Sequence, residues 1–323
     1  MTTVGVAGLG AAGLRAARAL SDDPAISCVA LESRRPAVAR QAVEALVDRA
    51  AVWAVTTEPT VVVLAGESGP THVDRVRAEI RRGRSVVSLS AAPDDVDALL
   101  DLDGLAAERE VTLAVGAAFS PGLSCVLARH AASMFTEVTE IRTAFVGAGG
   151  PRCADARRAQ LGAPGKIVRD GDITTVPAGS STELTWLPDP ISGTDCSFGG
   201  LSEPVLLQRA FPEAAVIEAR AALTPKPLIE LAPWRSSPPD GDPGAIRVEV
   251  VGRRDGELQA TTYGVLDRPA VAAGITAGVV AAQLVTGTVP NGAFGLAEFV
   301  EPVPFLTELR RRGIRAATVQ QRH

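Results

Sequence analysis

The chain has 323 residues with 46% hydrophobic and 21% charged side chains, a formal net charge of −5, and four cysteines. That length exceeds the usual single domain, so two domains are expected, each large enough to bury a core. The acidic balance gives no basic field for a nucleic acid, and Cys28, Cys125, Cys153 and Cys196 stand too far apart for a C-x-x-C zinc pair or a dense disulfide framework.

No nucleic-acid partner and no metal are therefore expected, and Arg310, Arg311 and Arg312 read as one solvated helix end. The N-terminus lacks the charged, apolar and small-residue regions of a secretory leader, so the expected location is cytoplasmic.

The first element is Val4-Gly5-Val6-Ala7-Gly8-Leu9-Gly10-Ala11-Ala12-Gly13, a buried strand running into a glycine turn and a helix. Gly8, Gly10 and Gly13 form G-x-G-x-x-G, in which the first glycine makes a tight turn, the second admits a pyrophosphate and the third lets helix pack on strand. With 31 glycines in the chain the spacing alone is weak, and its context gives it weight. The helix Leu14 to Leu20 stops at Ser21-Asp22-Asp23-Pro24 and a second strand, Ile26 to Leu31, ends at Glu32, 24 positions beyond Gly8 (32 − 8). An acid there meets the adenosine ribose, and the N–H groups of Ala11, Ala12 and Gly13 at a helix N-terminus hold the diphosphate, with Leu9 completing the turn. The predicted ligand is thus a dinucleotide. Glu32 suits the free ribose of NAD, whereas Ser33 and Arg34 with Arg35 suit a 2′-phosphate. Two cations and a small donor outweigh one movable carboxylate, which predicts a modest preference for NADPH with NADH usable, Arg34 being the main phosphate contact.

Pro36 to Arg49 reads as an amphipathic helix, Val52 to Val55 as a short strand, and Thr60 to Leu64 as a strand covered on both faces. Ala65-Gly66-Glu67-Ser68-Gly69-Pro70 follows at a carboxyl strand end, so Ala65 and Gly66 are placed at the cofactor. Then come a helix Thr71 to Arg82, a strand Ser85 to Leu89 ending at Ser90 and Ala91, also placed at the cofactor, a helical stretch Asp94 to Glu108, and a strand Val111 to Val115. Regular alternation of strand and helix predicts an α/β, Rossmann-type doubly wound parallel sheet.

At Phe119-Ser120-Pro121-Gly122 the pattern changes, and after a helix Leu123 to Phe135 the strand-like pieces are Glu137 to Val146, Ile173 to Val176, Thr182 to Leu187, Val216 to Leu223, Ile246 to Arg254 and Leu258 to Val265. They predict a second α+β domain on an open, mostly antiparallel sheet, with Pro233 to Gly244 a surface loop. The predicted division is 1–122, with 267–323 returning to it, and 123–266 for substrate and oligomerisation. The apolar run Pro269 to Thr286 is short for a membrane span and interrupted by Thr276 and Gln283; Gly274, Ala277, Gly278, Ala281 and Ala282 suit a closely packed core helix. Phe305 to Arg312 is read as a terminal helix. The small-residue helix and an exposed sheet face make a homodimer the expected assembly.

The glycine turn Gly8 to Gly13, Gly116-Ala117-Ala118-Phe119-Ser120-Pro121-Gly122, Asp195-Cys196-Ser197-Phe198-Gly199-Gly200-Leu201-Ser202-Glu203-Pro204 and Asp267-Arg268-Pro269-Ala270-Val271-Ala272-Ala273-Gly274 together resemble the saccharopine dehydrogenase-like reductases, the NAD(P)-dependent family of saccharopine reductases and carboxynorspermidine synthases. The resemblance spans nearly the whole chain and implies hydride transfer at a carbon bonded to nitrogen, as in reduction of an imine to a secondary amine. A related family of sugar-type oxidoreductases places a catalytic lysine in Glu-Lys-Pro after the fifth strand; here the position reads Ser90-Ala91-Ala92-Pro93, and the chain's two lysines, Lys166 and Lys226, lie elsewhere. A protonated imine already attracts hydride, so orientation matters more than a base. Two rival readings are a sugar- or carbonyl-type dehydrogenase and a dinucleotide-binding sensor without catalysis.

Catalytic candidates are His130, on an apolar helix face beside Leu127 and Met134 where a core histidine is the more common reading, with Asp195 and Tyr263. His72 is read as a surface or crevice-edge residue without a task. The resemblance implies carboxylate-bearing substrates, for which Arg152, after the glycine-rich stretch 147–150, is the predicted anchor, Arg157 and Arg158 reading as a solvated pair. Phe119 and Trp186 are the other predicted substrate contacts, although an aromatic in a strand such as Trp186 also suits a core.

Overall fold

The computed structural model describes residues 2–46, 49–54, 57–66, 68–222 and 241–318. Predicted features at Val47, Val55, Glu67, Leu223, Lys226, most of the loop from Pro233, and His323 lie outside them. The chain divides into two compact units, Met1–Leu123 with Ala272–Gly313, and Ser124–Val271 with Ile314–His323.

In the first unit β1 (Thr3–Ala7), α1 (Ala11–Ser21), β2 (Cys28–Glu32), α2 (Pro36–Leu46), β3 (Ala50–Val52), β4 (Val61–Leu64), α3 (Pro70–Arg81), β5 (Ser85–Ser88), α4 (Pro93–Leu100), α5 (Asp103–Glu108) and β6 (Thr112–Val115) follow in chain order. The single helix predicted over 94–108 is two, and Asp103 is turned to accept the Ala293 N–H (2.8 Å). The strands form a seven-stranded sheet in the order β15-β6-β5-β4-β1-β2-β3, with β15 (Gly292–Gly295) added beside β6. Every neighbouring pair is parallel. Helices on a parallel sheet bury both faces of its central strands, which explains the unbroken apolar runs Val29–Leu31 and Val61–Leu64, all at most 3% exposed. Strand order reverses at β1, so the crevice at its carboxyl end is the switch point where ligands bind in such sheets.

The helix α9 (Pro269–Thr286) is long and apolar enough to cross a membrane by composition alone. Its small residues have a different use, because a Cβ on Gly274 would fall on the Ala12 carbonyl and one on Gly278 would lie 2.9 Å from the Ala19 methyl. The helix therefore lies backbone to backbone against α1. The unit closes with α10 (Leu296–Phe299) and α11 (Pro302–Arg311).

The second unit holds α6 (Leu123–Ala132), β7 (Glu137–Val146), α7 (Pro151–Leu161), β8 (Gly165–Arg169), β9 (Asp172–Val176), β10 (Glu183–Trp186), β11 (Gly193–Cys196), α8 (Glu203–Ala210), β12 (Val216–Ala222), β13 (Gly244–Arg254) and β14 (Glu257–Asp267). Its seven-stranded sheet runs β16-β14-β13-β7-β12-β8-β9, where β16 is Ala316–Thr318 near the end of the chain. All its pairings are antiparallel except β12 with β7, and β10 with β11 makes a separate antiparallel pair. The hairpin β13–β14 turns on Asp255 and Gly256 at φ 53° and 82°, the positive dihedrals that a two-residue turn between right-twisted strands demands. One expectation is corrected here. The tail does not all return to the first unit, because β16 (Ala316–Thr318) hydrogen-bonds along β14, Tyr263 opposite Thr318 and Val265 opposite Ala316.

Candidate nucleotide-binding site

The glycine turn separates into glycines that the fold requires and glycines that it does not. Gly8 has φ +93°, and a Cβ there would lie 2.7 Å from the Ala65 carbonyl carbon and the Gly66 nitrogen. Its absence lets the exit of β4 run against the turn, where Ala65 N–H donates to the Ala7 carbonyl (2.9 Å) and Gly8 N–H to the Glu32 carbonyl (3.1 Å). A Cβ on Gly13 would sit on the Gly8 carbonyl oxygen. Gly10 differs, since its φ −81° and ψ −169° suit any residue and a Cβ would meet nothing within 4 Å. Gly66 is equally unconfined. Gly10 caps α1, whose first turn carries no acidic residue to neutralise its positive end. Open volume beside a bare glycine and a helix N-terminus is a cradle that fits a diphosphate. Leu9 is buried in the core, whereas Ala11 and Ala12, in the first turn of α1, are half-buried.

Sheet register sets Ala7 level with Glu32, so the acid stands one strand from the turn. Glu32 is not the lone carboxylate read from the sequence but half of an ion pair. Arg75 on α3 donates to both its oxygens, Nη1 to Oε1 at 3.1 Å and Nη2 to Oε2 at 2.9 Å. The Arg75 Nε donates in turn to the buried Glu79 (2.6 Å), and the guanidinium carbon lies 5.5 Å from the centroid of the Trp53 ring. Ser33 Oγ accepts the Arg35 N–H (3.2 Å), and Arg34 is exposed before α2.

At the ends of β4 and β5 a largely buried network ties Ser90, which the sequence places at the cofactor, to Asp95, which sequence reasoning passed over, and to Ser68 and Gly69. Asp95 accepts the Gly69 N–H through both oxygens (3.0 and 2.9 Å) and the Ser90 hydroxyl at 2.6 Å; Ser90 also contacts Ser68 (2.9 Å). His72 is not a surface residue. It is 6% exposed, its Nε2 is 2.8 Å from Ser88 Oγ, and burial holds its pKa below the ordinary histidine value although Asp95 pulls the other way. The available signal was Asp94-Asp95 in the first turn after Pro93, a helix start directly following a strand end. Ala91, placed at the cofactor by the sequence, follows in the same strand-end segment, half-buried.

Phe119 is buried in the first unit, at 4% exposure. Within the second unit the His130 and Tyr263 rings stack with centroids 5.3 Å apart, and the Tyr263 hydroxyl approaches Met134 Sδ (4.0 Å). Burial raises the Tyr263 pKa. Asp195 is exposed on the separate β10–β11 pair, opposite Leu184. Trp186 is no core residue, being 64% exposed on the same pair. Arg152, the predicted carboxylate anchor, is exposed in the first turn of α7. Arg157 is not one of a solvated pair. Its guanidinium lies 3.9 Å from the Phe145 ring centroid and donates to Gln160 (2.7 Å); burial lowers its pKa to about 10 while Glu203 opposes the shift. Arg158 pairs with Asp155 (2.5 Å).

No protein-family model matches the chain, and no curated protein does. Among solved structures it is similar to apo saccharopine dehydrogenase (L-Glu forming) from Saccharomyces cerevisiae, with TM-score 0.70 and 14% identity over 99% of this chain and 100% of that one. An amine dehydrogenase from Mycobacterium smegmatis gives 0.55 and 14% over 93% and 96%. The C. glutamicum DAP dehydrogenase in complex with DAP gives 0.54 and 16% over 97% and 99%. The resemblance to saccharopine dehydrogenase therefore holds for the whole fold, first unit and second alike.

Proposed function

We propose that the chain is an NAD(P)-dependent oxidoreductase transferring hydride at a carbon bonded to nitrogen, on a small amine or amino-acid-derived substrate. The observation that carries it is Gly10, bare beside open volume at the switch point, in a fold shared end to end with saccharopine, DAP and amine dehydrogenases. A bound reduced nicotinamide supplies hydride to the carbon of a protonated C=N bond, giving a neutral amine with no further proton required. The chain's own part is then orientation. Ser90-Ala91-Ala92-Pro93 carries no lysine to serve as a base for alcohol oxidation, which favours the imine over the sugar or carbonyl reading. Arg152 anchors a substrate carboxylate, and the anion-binding α1 N-terminus takes the diphosphate. NADPH is preferred modestly, with Arg34 at its 2′-phosphate. The working form is a cytoplasmic homodimer.

Fluorescence titration with NADPH and NADH, followed by turnover with panels of amines and with keto acids plus amines, tests this. Binding together with turnover of a C–N substrate supports it. Turnover confined to carbonyls or sugar alcohols would establish the first rival, and binding without any turnover the sensor.

A further inference from the structure

The acid at the end of β2 is held by a cation that the sequence places 43 positions away (75 − 32), and that cation is itself anchored from behind. Glu79 is completely buried and gathers three guanidinium groups, Arg75 (2.6 Å), Arg82 (3.1 Å) and Arg84 (2.7 Å). Trp53 is flanked by two of them, with the Arg75 and Arg84 carbons 5.5 and 5.8 Å from its ring centroid. The ring is fixed by Gly5 of β1, where a Cβ would lie 2.7 Å from Trp53. Arg75 is thus positioned by a buried carboxylate and an aromatic face independently of Glu32, and would keep its place if Glu32 swung aside. Three guanidinium groups against Glu32 and Glu79 leave one positive charge in excess.

A guanidinium has five N–H bonds, and Arg75 uses three of them among the described residues, leaving one on each Nη for an incoming acceptor. Each Glu32 oxygen accepts one of these bonds and keeps a lone-pair direction for a hydroxyl. We propose that Arg75 is the specificity-determining residue of the adenosine-ribose site: paired with Glu32 it presents that carboxylate to a free ribose, and when Glu32 is displaced it is the preassembled partner of a 2′-phosphate. This rests on the dinucleotide reading above and deepens it. Arg34, exposed between β2 and α2, adds an outer contact; Arg75 decides whether the phosphate is tolerated at all, because without it Glu32 would meet the phosphate as an unscreened like charge.

The test is direct binding of NADPH and NADH to the full chain, by fluorescence titration or calorimetry, in wild type, Arg75→Met, Arg75→Lys and Glu32→Gln, with melting temperature measured alongside. Arg75→Met should raise the NADPH Kd at least tenfold and the NADH Kd less than threefold, and Arg75→Lys should recover part of the NADPH loss. Glu32→Gln, which leaves the Arg75–Glu79 anchor intact, should tighten NADPH and weaken NADH, and decides the matter should Arg75→Met fail to fold. Equal losses for both cofactors, or no NADPH loss in a folded Arg75→Met protein, would overturn the role of Arg75. So would a Glu32→Gln protein with unchanged NADPH affinity. Wild type binding neither cofactor would instead refute the dinucleotide reading.

Discussion

Gly10→Val separates ligand binding from folding more sharply than any other single change in the turn. The Gly10 backbone angles suit valine, and its Cβ would meet nothing within 4 Å, so the folded state loses little beyond a preferred helix cap. That loss is about 1 kcal/mol, or roughly 2 to 4 °C in melting temperature for a domain of about 150 to 250 residues. The branched side chain would fill the volume through which a diphosphate reaches the α1 N-terminus. Displacing even two charge-assisted hydrogen bonds, at about 1.5 to 3 kcal/mol each, is at least a hundredfold in Kd, since about 1.4 kcal/mol is tenfold. Gly13→Ala should behave in the opposite way, because its Cβ falls on the Gly8 carbonyl oxygen and the chain must distort or fail to fold. Fluorescence titration of NADPH into both variants, with a thermal scan of each, reads the contrast. A folded Gly10→Val protein with wild-type affinity would refute the placement of the diphosphate.

Arg152→Ala should raise substrate KM about a hundredfold while sparing kcat, the scale of a charge-assisted pair at about 2 to 3 kcal/mol; an unchanged KM returns Arg152 to the solvated face of α7. In Arg34→Ala the ratio of kcat/KM for NADPH over NADH should fall, and a ratio that stays put, or a wild type strongly preferring NADH, leaves Glu32 in control. Burial holds the His72 pKa below the ordinary histidine value of about 6.5, so below that pH the unfolded chain takes up a proton that the folded chain refuses, and stability falls until the folded pKa is passed. Denaturant unfolding at pH 7.5 and 5 should show a smaller acid loss in His72→Gln than in wild type, and equal losses would exclude His72 as a source.

The parallel sheet was legible because its strands are buried on both faces and its helices have one apolar side, so that period and punctuation agree from Thr3 to Val115. The second unit was legible where strands are long, as at β7, β13 and β14. It was opaque at α7, whose sequence Pro-Arg-Cys-Ala-Asp-Ala-Arg-Arg-Ala-Gln-Leu has no apolar stripe and whose helix is signalled by Pro151 alone. The short strands β15 and β16 have four and three residues, too few for any alternation to register, and each exists because a neighbouring strand offers its edge.

At the site, spacing revealed that three glycines mattered without distinguishing why. Gly8 and Gly13 are required by backbone that approaches from Ala65 and from the turn itself, contacts that exist only once β4 has come to lie beside β1. Gly10 is required by nothing in the chain, and a small residue with no internal reason to be small points outward, to what binds there. Charges obey the same logic in reverse. Arg34 and Arg75 are equal as letters, and adjacency to Glu32 drew attention to the first; the fold instead gives Glu32 to the second, because α3 crosses from β4 to β5 and its middle turn passes the end of β2. Local sequence can place an acid at the ribose, but its partner is fixed by the crossover, and cofactor choice belongs to the pair.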